Sequence, residues 1–200
     1  MKEKAVHFLS DGLSLEGRLA SCTSTKVAIV THPHPQMGGS MNNNVVIAIA
    51  KTFFAKDYST FRFNFRGTGK SQGTYSNGLG EQHDLVNAMS FLNKLGYGQI
   101  LLAGYSFGAW IINQALTDDI SASAILLVSP PVDFLSFDFK GCEGKISLLV
   151  AGDRDIYCPQ TTLQQIGKQL GCPVEIIHGA DHFYWGEEEQ LSKAILKHFV

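Results

Sequence analysis

The sequence has little charge and concentrates none of it. Lysine and arginine number 16 and aspartate and glutamate 18 among 200 residues, a formal net charge of −2. No run of basic residues builds a face for nucleic acid or an anionic membrane, so neither is expected as a partner. Cysteine is sparse too: Cys22, Cys142, Cys158 and Cys172 lie far apart and form no Cys-x-x-Cys pair. The expectation is free thiols in a reducing cytoplasm, not a disulfide framework. No apolar run reaches the length that spans a bilayer. The charged start, Met1-Lys2-Glu3-Lys4, leads into His7-Phe8-Leu9-Ser10-Asp11 and not into the apolar core of a signal peptide. Repeats, low-complexity tracts and linkers are missing as well, which leaves one domain over residues 1–200.

What is present is a hydrophobic fraction of 44% and 20 glycines, enough for one good core. Residues 5–10 and 13–20 alternate apolar and polar around Asp11-Gly12, a hairpin signal. Short apolar runs at 27–31, 59–65, 100–103, 124–128, 146–151 and 174–177 then read as buried strands. Helical spacing appears at 44–55, 81–95, 109–116, 161–170 and 187–199. Strand–helix alternation predicts a mostly parallel α/β sheet of about eight strands, flanked by helices, with the first strands as an antiparallel edge. In such sheets chemistry gathers where the chain leaves the carboxyl ends of the strands.

Three of those ends carry matching chemistry. Gly104-Tyr105-Ser106-Phe107-Gly108 sits between the apolar run 99–103 and the helical run that follows. A Gly-x-Ser-x-Gly turn in that context is a nucleophile elbow, with the serine in a strained corner and small residues letting strand and helix close around it. A serine hydroxyl needs a histidine to take its proton, and the histidine a carboxylate to fix its tautomer. Gly152-Asp153-Arg154-Asp155 follows one strand, and His178-Gly179-Ala180-Asp181-His182-Phe183 follows the last. Asp153 and Asp155 both qualify as the acid, and Asp133 stands after another strand. Asp181 is discounted, because side chains adjacent in sequence diverge.

The chain order Ser, Asp, His is that of α/β-hydrolases, and the resemblance extends along nearly the whole chain. Gly152-x-x-Asp155-x-x-x-Pro159 is similar to the family's acid loop and points to Asp155. Asp181-His182-Phe183 resembles its histidine loop, and Arg66-Gly67-Thr68-Gly69-Lys70-Ser71 the turn after its fourth strand. The stretch His32-Pro33-His34-Pro35-Gln36-Met37-Gly38-Gly39-Ser40-Met41, with Phe63-Asn64-Phe65-Arg66-Gly67, resembles a compact, poorly characterised subgroup. His32-Pro33 stands where many relatives carry His-Gly.

The resemblance implies an oxyanion hole built from two backbone N–H groups. One is that of Phe107, after the nucleophile. The other comes from the loop after Thr31, where Pro33 and Pro35 have no N–H to give. His34 and Gln36 remain, and alignment with His-Gly favours the His34 amide. The catalytic set is then Ser106, Asp155 and His182, with no cofactor and no metal. His32 and His34 lack a third ligand at metal spacing, and a structural histidine bracing the loop is expected. Cys158 is read as packing. Gly69-Lys70-Ser71 is not a phosphate loop, since turn residues and not a helix follow it. Glu81 and Asp84 are read as acidic residues favouring a helix N-terminus.

Only residues 130–145 separate the sixth strand from the acid-bearing one, too few for a folded cap. An open site shaped by Pro131, Phe134, Phe137, Tyr157, Phe183, Tyr184 and Trp185 is expected. Such a site suits short- or medium-chain carboxylic esters or thioesters as small-molecule substrates. A peptidase or acyltransferase with the same residues, or a binding module on the same fold, are the competing readings. The free edge of the N-terminal hairpin is compatible with a homodimer.

Overall fold

The structure is a computed structural model and describes residues 1–22, 24–116 and 120–199. Among the described residues eight strands form one sheet: β1 (Lys4–Ser10), β2 (Leu13–Ala20), β3 (Lys26–Thr31), β4 (Ser59–Phe63), β5 (Gln99–Tyr105), β6 (Ala124–Val128), β7 (Leu148–Gly152) and β8 (Val174–Ile177). Among the described residues five α-helices connect or close them: α1 (Asn44–Phe54), α2 (Leu79–Lys94), α3 (Phe107–Ala115), α4 (Gln160–Leu170) and α5 (Glu188–Leu196). The spatial order is β1-β2-β4-β3-β5-β6-β7-β8. β1 pairs antiparallel with β2, and β2 antiparallel with β4; all other pairs are parallel.

The alternation of side chains along each strand explains why the sequence reads as continuous apolar runs. Successive residues point to opposite faces, and both faces are covered. Ile29, Leu102, Leu127 and Leu149 meet α2, α3 and α4 on one face, while Val30, Leu101, Leu126 and Val150 meet α1 and α5 on the other. The hairpin turns where Asp-Gly requires it: Asp11 and Gly12 both have positive φ, 49° and 81°, and close Ser10 against Leu13.

Several element ends differ from the sequence pattern by a residue or two. The seventh strand starts at Leu148 and not at 146, because Ser147 turns its hydroxyl onto the Ile125 N–H at 3.2 Å before the ladder begins. The fourth ends at Phe63, since Asn64 spends its side chain on Met41 N–H and on Glu16.

Two acidic residues of α2 do more than favour its N-terminus. The Asp84 carboxylate is buried and accepts from Arg66 Nε and Nη2, the Arg66 N–H and the Ser10 hydroxyl, at 2.7–3.1 Å. It clamps the turn after β4 to the hairpin, and losing one partner of such a pair costs about 3–5 kcal/mol. Glu81, also buried, accepts from Ser76 N–H and Gly78 N–H at 2.9 and 2.8 Å.

The strand order reverses at β3: the chain steps from β3 to β4 on one side, then crosses to β5 on the other. The loops leaving β3 and β5 therefore diverge, and a crevice opens between them at the carboxyl edge. Among the described residues no helix or strand lies between β6 and β7 to cover it.

Candidate active site

β5 runs out at Tyr105, and the next residue takes a conformation that L side chains rarely adopt. Ser106 has φ 54° and ψ −117°, and its N–H donates to Val128 O at 3.0 Å. The flanking glycines are required by packing. A Cβ on Gly104 would sit 2.6 Å from the Ala109 backbone, and one on Gly108 2.7 Å from the Thr31 carbonyl carbon. β5, α3 and β3 thus converge on one corner and hold the Ser106 hydroxyl above the sheet.

The loop after β8 brings His182 to that corner. Its Nε2 is 2.9 Å from Ser106 Oγ, and its Nδ1 is 2.9 and 3.0 Å from the two Asp155 oxygens. A carboxylate only accepts, so Nδ1 carries the proton and Nε2 is left to accept from the serine. Asp155 Oδ1 also accepts from Tyr157 N–H and Cys158 N–H, both at 3.0 Å, which fixes the carboxylate before the histidine reaches it. Asp155, His182 and Ser106 are all buried. The Tyr157 ring stands edge-on to His182 at 4.9 Å, and the Tyr105 hydroxyl donates to His182 O at 2.7 Å.

Asp133 is exposed, and the other two carboxylates are occupied elsewhere. Asp153 accepts from Gly179 N–H at 2.8 Å and pairs with His178 Nδ1 at 2.5 Å, bracing the turn after β8. Asp181 turns back to accept from Phe183 and Tyr184 N–H. The Cys158 thiol is fully buried, and burial together with the Asp155 charge pushes its pKa up, so it stays protonated and packs. All four cysteines are free thiols.

The loop after β3 is held from several sides. His32 is fully buried; its Nδ1 meets Pro33 O at 2.7 Å and its Nε2 accepts from Phe65 N–H at 3.1 Å. Burial lowers its pKa to about 4, so the ring is neutral and acts as the expected brace. Arg62 Nη1 donates to Met41 O at 2.6 Å and to Asn42 Oδ1 at 2.8 Å further along the loop. Gly39 packs where a Cβ would lie 2.7 Å from His34 O. His34 O accepts from both Met37 and Gly39 N–H at 3.0 Å.

Of the two amides left open by the sequence, that of Gln36 donates to His34 Nδ1 at 3.3 Å, whereas that of His34 has no partner among the described residues. The Phe107 N–H is in the first turn of α3, where the helix itself supplies no acceptor. Both residues line one cleft with Ser106 and His182.

That cleft has a volume of about 170 Å³, and Met37, Pro131, Phe134, Leu135, Tyr157 and Phe183 form its apolar walls. Three expected aromatics are not among them. Phe137 stacks on Phe139, Trp185 is 74% exposed, and Tyr184 is core, its hydroxyl 2.8 Å from Ser129 Oγ. Met37 and Leu135 were missed, since a lone aliphatic in a loop carries no periodic signal. No group of three or more metal-ligating side chains occurs among the described residues. In the turn after β4, Lys70 N–H donates to Glu16 Oε1 of β2 and Ser71 N–H to Thr68 O, so neither amide is free for a phosphate. No helix among the described residues is long and apolar enough to cross a membrane.

The arrangement supplies a hydroxyl with a base 2.9 Å away, a carboxylate behind the base, and free N–H groups beside an apolar cleft. No protein-family model matches the chain. An uncharacterised protein of Rickettsia prowazekii is 34% identical over 200 residues, spanning 93% of this chain and 84% of that one. An alpha-beta serine hydrolase homologue from Coxiella burnetii has a TM-score of 0.89 at 32% identity, covering 100% of this chain and 99% of its own. An α/β serine hydrolase without a lid from Xanthomonas campestris has a TM-score of 0.88 at 24% identity, over 98% of this chain and 93% of its own, a likeness of fold. With about a third of its residues identical to the Coxiella burnetii protein over the full length of both chains and a TM-score of 0.89, the chain belongs to the α/β serine hydrolases.

Proposed function

We propose that the protein is a carboxylesterase-like serine hydrolase of short- or medium-chain carboxylic esters or thioesters. Its loop His32-Pro33-His34-Pro35…Gly38-Gly39-Ser40-Met41 resembles that of a compact subgroup of the family, which supports the reading. The observation that carries the reading is the relay from Asp155 through His182 to Ser106, with every link at 2.9–3.0 Å and with Ser106 and His182 lining an apolar cleft. Ser106 Oγ bonds to the acyl carbon as its proton passes to His182 Nε2. The oxyanion that forms is held by the Phe107 and His34 N–H groups. Collapse breaks the bond to the alcohol or thiol, which leaves with the proton from His182. Water then repeats the sequence and frees Ser106.

Size supports the substrate class. A cleft of about 170 Å³ is comparable with an apolar cavity of about 150 Å³ that takes one benzene, and so suits a small acyl group. The experiment is hydrolysis of p-nitrophenyl acetate, butyrate, octanoate and palmitate by the wild type and Ser106→Ala. The expected result is kcat/KM highest among the shorter esters, and no enzymatic rate with the variant. A Ser106→Ala protein as active as the wild type overturns the proposal.

A further inference from the structure

His34 enters the site twice, once through its amide and once through its ring, and the ring has a geometry of its own. Pro33 and Pro35 flank it, and proline restricts the residue before it to extended conformations; His34 has φ −54° and ψ 121°. The ring folds back over the loop. Its Nδ1 accepts the Gln36 N–H at 3.3 Å, and its Nε2 lies 3.3 Å from the Tyr75 hydroxyl. The ring centroid is 5.1 Å from that of Tyr75 and 4.8 Å from that of Phe107.

We propose that the His34 imidazole is a positioning residue: as the Nε2–H tautomer it ties Gln36 to Tyr75 and so sets the His34 amide against the Phe107 amide across the cleft. This rests on the reading of those two amides as the oxyanion donors. The tautomer follows from the bonds. A nitrogen that accepts an N–H carries no proton, so the ring proton is on Nε2 and is donated to the tyrosine oxygen. A protonated ring would turn two donors toward each other at Gln36. Partial burial lowers the His34 pKa and keeps the ring neutral, against an opposing pull from the Glu81 carboxylate.

Contact between the His34 and Phe107 rings links the two donors, which belong to different elements, the loop after β3 and the start of α3. Tyr75 packs on both rings, 5.9 Å from Phe107, and completes the wedge. The loop does not depend on the ring for its folding. Its backbone is closed by the Met37 and Gly39 N–H bonds to His34 O, and its base by His32. Removing the ring is therefore expected to leave a folded protein with a misaimed amide.

The test compares wild type, His34→Ala, His34→Asn and Tyr75→Phe on p-nitrophenyl butyrate, with melting curves for each. Asparagine is the rescue, because its side-chain oxygen accepts the N–H two residues on without a ring. His34→Ala is expected to lose roughly 10–100-fold in kcat with KM within about twofold, and His34→Asn to recover most of that loss. Tyr75→Phe is expected to lose about threefold. An Ala variant within about twofold of wild-type kcat, a loss in KM alone, or an Asn variant no better than Ala overturns the proposal.

Histidine ¹⁵N spectra at neutral pH test the tautomer without turnover. Nε2–H at His34 is expected, and Nδ1–H overturns the strut even in a protein that hydrolyses esters. A wild type without esterase activity would instead overturn the function, leaving the tautomer to decide the strut.

Discussion

The Tyr105 hydroxyl donates a 2.7 Å hydrogen bond to the carbonyl oxygen of His182. Tyr105 is the first of the two variable residues of the Gly-x-Ser-x-Gly turn and the last of β5. The strand that delivers the proposed nucleophile therefore also fastens the loop that delivers its proposed base. Burial pushes the phenol pKa up, so it remains a donor at every working pH.

Tyr105→Phe keeps the packing and orphans a buried carbonyl, a cost of about 1–3 kcal/mol. A lower melting temperature is expected, with kcat down about tenfold and KM little changed. Calorimetry and steady-state kinetics check both. Wild-type values for each would mean the bond does not position the histidine.

Asp155 and Asp153 stand two residues apart, and each binds a histidine Nδ1, His182 and His178 respectively. Only the Asp155–His182 pair reaches Ser106. Asp155→Asn would present an amide donor to Nδ1 and favour the wrong tautomer, with a kcat loss on the order of 10⁴-fold. Asp153→Asn is expected to stay within a few-fold of wild type, since it touches only the turn after β8. The pair of variants assayed side by side discriminates the two carboxylates, and a reversed ranking would contradict the geometry.

What the sequence makes legible is local. Gly104 and Gly108 announce the elbow because no other residue fits against Ala109 and Thr31, and Asp11-Gly12 announces its turn through two positive φ angles. Apolar runs reveal a sheet buried on both faces. The partners of a lone polar residue are not legible. Asp84, in the second turn of α2, has the same local pattern whether it faces solvent or, as here, the Arg66 guanidinium. Nor does a loop tell which aromatic turns inward. Tyr184 and Trp185 are neighbours, yet Tyr184 takes φ 54° and enters the core beside Ser129, while Trp185 stays in solvent.

His32 makes the fold sensitive to acid. Its pKa is lowered by burial from 6.5 to about 4, so between those values the unfolded chain binds a proton that the native ring refuses. Its contribution is complete above about pH 6.5 and lost as pH falls through about 4, some 3 kcal/mol in all. Urea titrations across that window are expected to show stability falling more steeply for the wild type than for His32→Asn, which has no ring to protonate. Parallel curves would remove His32 from the account.

The central claim is that Ser106 is an activated nucleophile, and fluorophosphonate labelling of the folded protein with mass mapping of the adduct tests it most directly. The account predicts one adduct, on Ser106, and none in Ser106→Ala. Folded wild-type protein that takes up no label, or carries it on another serine, would contradict it.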